Sequence, residues 1–336
     1  MTRAQMDARD AALIERLQAG VPLVAQPFLA IGQEVGMGED EVLARVRRLE
    51  EADVIRQIGA IFDTRRLGYQ STLAAFHVPG ERLEQVAALV SAHPGVSHNY
   101  ARPHHYNLWF TLAVPPGGDL ASDLAHLAAA AGIGDWLNLP ALRVFKIRTH
   151  FQVADGDGER AAGSQAAPPA SGRGEMRVLD PADIPYVRAL QTDLPLVPRP
   201  FAALAEAAGL DEERLLDRAR ALEAAGIMRR YAAVVRHRHV GYAANGMVCW
   251  AVPEERIEEA GRHAATLPAV SHCYHRPAHP PRWPYTLFTM IHGRSRDEVD
   301  SLVATLAREI GVHEYEVLYS TREFKKERVR YFEEER

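Results

Sequence analysis

The chain repeats itself at a nearly constant interval. Val21-Pro22-Leu23-Val24-Ala25-Gln26-Pro27-Phe28 returns as Leu194-Pro195-Leu196-Val197-Pro198-Arg199-Pro200-Phe201, 173 positions on. Gly59-Ala60-Ile61-Phe62, closing at Gly68-Tyr69, returns at the same interval as Ala232-Ala233-Val234-Val235, closing at Gly241-Tyr242. Val96-Ser97-His98 returns 174 positions on as Val270-Ser271-His272. Trp109-Phe110-Thr111 aligns with Leu287-Phe288-Thr289 at 178, which implies a loop four residues longer in the second copy. Self-similarity on this scale confines the fold to two copies of one module. Between them, residues 154–175 are rich in Ala, Gly, Ser, Pro, Asp and Arg, a composition that builds no core and reads as a flexible tether.

Each half opens with three helical segments. In the first, residues 8–18 carry Ala11, Leu13, Ile14 and Leu17, residues 27–35 form a short second helix, and residues 39–53 hold Val42, Val46 and Leu49 on one face. Leu215, Ala219 and Leu222 repeat that face in the second half. Residues 54–58 and 227–231 then alternate as strands, completing a winged helix-turn-helix. The remainder reads strand 71–78, helix 82–92, strand 96–102, strand 106–114, helix 118–132 and strand 141–148, the ferredoxin-like βαββαβ order. It recurs at 245–252, 254–266, 270–276, 284–292, 295–309 and 314–320. The expected class is α+β, with a winged helix at 1–66, a βαββαβ domain at 67–153, the tether, a second winged helix at 176–239 and a second βαββαβ domain at 240–336. Two such copies are expected to pair as a pseudo-dimer within one chain.

The most distinctive repeated stretch places His98, Tyr100 and Arg102, and again His272, Tyr274 and Arg276, at alternate positions. Alternate side chains on a strand share a face. A cationic, hydrogen-bonding, partly aromatic face suits a large planar polyanion; the plainer alternative is a polar sheet face with satisfied histidines.

Composition removes other classes. Apolar residues make up 47% and charged residues 25%, a globular balance. A net charge of −5 argues against a general nucleic-acid or membrane-surface binder. Cys249 and Cys273, the only cysteines, lack metal-type spacing and fit a reducing compartment. Residues 1–7 have no apolar signal core and no run reaches membrane-spanning length, so a soluble cytoplasmic protein is expected. His-Glu-x-x-His, Cys-x-x-Cys and Gly-rich phosphate loops are absent. A zinc site from His98, His104 and His105 lacks a cysteine or acid at a usual spacing.

A winged helix followed by βαββαβ resembles the Lrp/AsnC family of transcription regulators, and Arg45 through Arg56 looks like that family's third helix and wing. The His-Asn-Tyr-x-Arg stretch with Tyr106-Asn107-Leu108-Trp109-Phe110-Thr111, and the His-x-Tyr-x-Arg stretch with Tyr285-Thr286-Leu287-Phe288-Thr289, resemble instead the two subunits of the sirohaem (siroheme) decarboxylases, which share the regulator fold. Each half resembles one subunit, and the likeness covers nearly the whole chain outside the tether. It departs at Thr286, where the first copy has Asn107, and in the longer Pro-rich loop.

This resemblance implies a carboxy-lyase that removes two acetate carboxyl groups from sirohaem to give 12,18-didecarboxysirohaem, in d1-type or alternative haem biosynthesis. It implies no organic cofactor and no protein-bound metal, since the macrocycle serves as electron sink and the iron belongs to the substrate. Sirohaem is the implied partner; contact with other tetrapyrrole-pathway enzymes and a higher homo-oligomer are left open. The implied catalytic residues are His98, Tyr100, His272 and Tyr274, His being the group able to act as an acid near neutrality. The implied substrate-binding residues are Arg102, His104, His105, Tyr106, Arg276, His279, Trp283 and Tyr285, with arginine forks suited to carboxylates. Trp109, Phe110 and Phe288 read as core. Arg65, Arg66, His237 and Arg238 read equally as solvated loop charges or as contacts to propionates, and Lys146, Arg148, Lys325 and Lys326 as a solvated strand end first and as substrate contacts second. The alternative function is a tetrapyrrole-sensing Lrp/AsnC-type regulator. Charge weakens it: residues 39–56 hold six acids against four arginines, and residues 211–230 five of each.

Overall fold

The structure is a computed structural model that describes residues 6–147, 179–235 and 244–333. The tether, Arg148, His237 and Arg238 lie outside the described residues. Helices α1 (Ala8–Ala19), α2 (Pro27–Val35) and α3 (Glu39–Glu51) precede strand β1 (Ile55–Phe62). Asp7 caps α1 through a reciprocal box with Asp10. Helix α2 starts on Pro27 and stops at Gly36, whose φ of 70° is the left-handed conformation glycine adopts without a Cβ penalty. The second half repeats these signals in α6 (Ile184–Leu190), α7 (Pro200–Ala208), α8 (Glu212–Ala224) and β7 (Met228–Val235), with α7 again opening on proline and closing on glycine.

Strands β1 and β7 pair antiparallel, with Ile58 opposite Ala233 and Ala60 opposite Tyr231. At the repeat interval of 173 these two pairs exchange into one another, so a pseudo-twofold axis passes between Gly59 and Ala232. One hydrophobic core, including Leu13, Phe28, Val46, Phe201, Leu215 and Tyr231, runs through both winged helices.

The βαββαβ region of the first half supplies β2 (Gln70–Phe76), α4 (Leu83–Ala92), β3 (Val96–Ala101), β4 (Leu108–Val114), α5 (Leu120–Ala130), β5 (Trp136–Pro140) and β6 (Arg143–Ile147). The second supplies β8 (Ala244–Trp250), α9 (Ile257–Thr266), β9 (Val270–His275), β10 (Leu287–Gly293), α10 (Arg296–Ile310), β11 (Tyr315–Tyr319) and β12 (Arg322–Lys326). The sheets have orders β5-β2-β4-β3-β12 and β11-β8-β10-β9-β6. Each is a four-stranded βαββαβ sheet plus one strand donated by the other half.

This exchange corrects the expected strand at 141–148. The fourth strand of the first domain is β5, which ends at Pro140, a residue with no N–H for a ladder. The chain then crosses over, and β6 pairs with β9. The basic, aromatic C-terminal stretch is the reciprocal donation, with β12 paired to β3. The exchange covers the edges of β3 and β9 that would otherwise be unpaired. Phe145 of β6 lies against Gly261 of α9, where any Cβ would come within 2.3 Å of its ring, so glycine there admits the donated strand.

Strand register also corrects the loop length. Tyr100 pairs with Trp109, and Tyr274 pairs with Phe288. Trp109 is therefore equivalent to Phe288 rather than Leu287, and the second loop is five residues longer. Thr286 does the work of Asn107. The Asn107 side chain bonds the backbone of Val78, as the Thr286 hydroxyl bonds the backbone of Val252.

Candidate active site

On β3, Val96 enters the core beneath α4 and α5. The Asn99 amide donates to Ala87 O at 3.1 Å and to Ser91 Oγ at 3.0 Å on α4. Alternation therefore turns His98, Tyr100 and Arg102 to the other face. On β9, Cys273 points to α9 and sends His272, Tyr274 and Arg276 the opposite way. These helix-free faces pack on each other around Tyr106, Trp109, Leu139, Cys249, Trp283 and Phe288. All twelve sequence-predicted site residues lie in or around this joint between the halves.

A bulge in each strand sets the histidines. The β3–β4 register slips between Val96 and His98, and the β9–β10 register between Val270 and His272. Ser97 and Ser271 are the extra residues, re-aimed as bulged residues are. Their Oγ atoms lie 2.9 Å from His98 Nδ1 and 2.7 Å from His272 Nδ1. Burial, then the charges of Lys326, Arg56 and His272, push His98 down to about 4, so it is neutral at neutral pH. The ring centroids of His98 and Tyr100 are 6.2 Å apart, and those of His272 and Tyr274 are 6.1 Å apart. Burial raises Tyr274, against the lowering charges of Arg276, Arg229 and Arg65.

Arg102 and Arg276 are placed as a symmetric pair of cross-ties. Arg102 Nη1 donates to Leu318 O on β11, and Arg276 Nη1 donates to Leu139 O on β5. Each guanidinium reaches from its own half to the edge strand of the other. Arg276 also lies 4.8 Å from the centroid of Tyr274. Burial lowers both arginines to about 10, which leaves them charged at neutral pH.

Beyond the strand ends the remaining predicted residues form a second cluster around Asp135. Its carboxylate accepts from His105 Nε2 at 2.8 Å, Tyr106 Oη at 2.9 Å and Arg282 Nη1 at 3.0 Å. Burial would raise Asp135, but the bonds from His105 and Tyr106 outweigh it and hold it below the usual carboxylate range. His279 Nε2 donates to Asn138 O at 2.8 Å, tying the long loop to the first sheet. Burial raises both Tyr106 and Tyr285 to about 12. His104 Nδ1 accepts from Tyr106 N at 3.0 Å, and its ring meets the edge of Trp283 at 5.6 Å. Trp283 is 0% exposed and contacts Tyr106, Trp109, Tyr285 and Phe288, so it is a core residue of the joint.

Besides Arg276, cations outside the predicted site residues act on the histidine–tyrosine pairs. Arg56 and Lys326 act on His98, and Arg229 and Arg65 act on Tyr274. Arg56 and Arg229 occupy equivalent wing positions at the 173-residue interval, which is the signal that could have found them. Lys325 and Lys146 are not solvated: they donate to Ser91 O at 2.7 Å and Leu267 O at 2.6 Å, carbonyls at and just beyond helix C-termini. Among the described residues, no group of three or more His, Cys, Asp or Glu side chains is placed to hold a metal ion, and no helix is long and apolar enough to cross a membrane.

Fold and site define an internally duplicated AsnC-like protein whose two ligand-binding domains meet across a histidine–tyrosine joint. The family description "AsnC-like ligand binding domain" matches residues 66–146 and 239–325, and "Siroheme decarboxylase NirDL-like HTH domain" matches residues 10–56 and 186–229. The chain is 40% identical over 324 residues to the siroheme decarboxylase of Hydrogenobacter thermophilus, covering 96% of this chain and 95% of that one. It superposes on the crystal structure of the siroheme decarboxylase NirDL with a TM-score of 0.74 at 38% identity, covering 97% of this chain and 94% of that one. A crystal structure of NirDL in co-complex with an iron-uroporphyrin III analogue matches with the same TM-score and identity, covering 97% and 95%. The chain belongs to the siroheme decarboxylase family of carboxy-lyases.

Proposed function

We propose that this chain removes two acetate carboxyl groups of sirohaem as CO₂, giving 12,18-didecarboxysirohaem, and that it does so without an organic cofactor. The observation that carries this is the joint itself, where two histidine–tyrosine pairs meet beside cations suited to carboxylates. Identity of 40% to a siroheme decarboxylase over almost the full chain supports the substrate, as does a relative's complex with an iron-uroporphyrin III analogue.

For each acetate, the bond from methylene carbon to carboxyl carbon breaks and CO₂ leaves. The electron pair is delocalised into the conjugated macrocycle. The methylene carbon then takes one proton and becomes a methyl group. The protein has to hold the remaining carboxylates, keep water from the scissile one and deliver that proton. Arg56, Arg65, Arg229 and Lys326 would serve the first task, half-buried Tyr100 and Tyr274 the second, and a histidine the third. The regulator reading has less support. Arg45 is taken up by Asp7, Asp10 and Glu41, Arg48 by Asp10, and Arg218 by Asp183, so these helix arginines are engaged within the winged helices.

The test is anaerobic incubation of the purified protein with sirohaem alone, followed by mass spectrometry. Two successive losses of CO₂ are expected. A strict requirement for added flavin, nucleotide or pyridoxal phosphate would overturn the cofactor-independent chemistry.

A further inference from the structure

The two halves differ behind their histidines. In the first, Ser97 Oγ bridges His98 Nδ1 to Thr111 Oγ1 at 2.7 Å, and that hydroxyl accepts in turn from the backbone N–H of His98 at 3.2 Å, so the bonds close on the same residue. In the second, Ser271 Oγ lies 2.7 Å from His272 Nδ1 and 2.6 Å from His292 Nε2, and His292 Nδ1 lies 2.5 Å from Asn245 Oδ1. Ser271 Oγ also stands 3.5 Å from Met290 O, the longest of its contacts. Strand register puts Ala113 and Ser71 where the second half has His292 and Asn245. Neither first-half residue has a ring nitrogen that can take up and release a proton.

We infer that His292 is the positioning residue of a proton relay, His292 to Ser271 to His272, which makes His272 the acid for the new methyl group. This rests on the decarboxylase reading. The hydrogen bonds set the direction. Asn245 Oδ1 can only accept, so His292 Nδ1 carries a proton and Nε2 is the atom that gains and loses one. Starting from protonated His292, the Nε2 proton passes to Ser271 Oγ as the serine's own proton passes to His272 Nδ1. The His272 imidazolium then gives its Nε2 proton to the methylene carbon as CO₂ leaves, and ends neutral with one proton on Nδ1. Each acetate thus consumes one proton; before the second, the His272 proton moves from Nδ1 back to Nε2 by tautomer exchange, which frees Nδ1 to receive from Ser271 again. Asn245 is exposed and His292 half-exposed, so solvent can restore the proton. Ser271, 1% exposed, is the buried link. The neutral state of His98 agrees with the same division of labour.

The experiment is single-turnover release of CO₂ from sirohaem by the full chain, with tetrapyrrole affinity measured by absorbance titration. His292→Gln keeps groups able to bond Ser271 and Asn245 but cannot pass a proton. His292→Ala leaves room for free imidazole. Both variants are expected to bind as wild type does and to turn over at least tenfold slower, with added imidazole restoring His292→Ala. Wild-type turnover in His292→Gln, or no response of His292→Ala to imidazole, would overturn the relay while leaving the decarboxylase reading in place. A wild-type chain that releases no CO₂ would take down that reading and the relay with it.

Discussion

Replacing Trp283 separates two roles that the sequence left together. The side chain is 0% exposed and packed among aromatic rings contributed by both halves. Truncating a core tryptophan to alanine costs about 3–5 kcal/mol in lost burial plus the cavity left behind. Unfolding entropy near 60 °C is about 2.1 cal/mol/K per residue, or roughly 0.7 kcal/mol/K for this chain melting as a unit. Trp283→Ala should therefore lower Tm by about 4–7 °C. Trp283 Nε1 has no hydrogen-bond partner in the structure, so Trp283→Phe forfeits none and should cost only about 1–2 kcal/mol, or roughly 1–3 °C. The assay is differential scanning calorimetry of the three proteins beside a tetrapyrrole titration. A Trp283→Ala protein that melts within a degree of wild type yet loses tetrapyrrole affinity would refute the core assignment and make Trp283 a cover for the ligand.

Two further outcomes follow from the same geometry. His98 is held neutral, down to about 4 against about 6.5 in an unfolded chain, so the native state binds fewer protons between those values. Its contribution is full above pH 6.5 and lost as the pH falls towards 4, by up to roughly 3 kcal/mol. His98→Gln should lose less Tm than wild type between pH 7 and pH 4.5, and parallel curves would show that His98 is not held neutral. Because β6 completes the second sheet and β12 the first, a protease site placed within 160–172 should be cut without separating the halves. Fragments that part on gel filtration without denaturant would show that the exchanged strands do not hold the joint.

Much of this architecture was legible in one dimension. Helix α3 follows from Val42, Val46 and Leu49 on one face, and the site face of β3 from the alternation of His98, Tyr100 and Arg102. The duplication announced the pseudo-twofold axis, which the β1–β7 pairing displays residue by residue. Periods of 3.6 and 2, proline and glycine stops, and self-similarity are properties of neighbouring residues, and those the sequence carries openly. The histidine–tyrosine faces belong to this class, since alternation alone predicts that they share a side.

What the sequence could not show depends on residues that meet only in space. Residues 143–147 alternate as well as any strand, and nothing local states which sheet they join; that is decided by the uncovered edge of β9 and the space above Gly261. Arg102 and Arg276 look like carboxylate forks in the chain, yet a carbonyl on the opposite edge strand takes up each one. Trp283 reads as a substrate-binding loop residue until the two sheets close on it. The His272–Ser271–His292 chain needs a bulge on β9 and a neighbour on the adjacent strand β10 to align three side chains. Local pattern determined which residues could be presented together, and long-range packing determined what they touch, because hydrogen bonds and buried contacts depend on distance in space and are indifferent to separation along the chain.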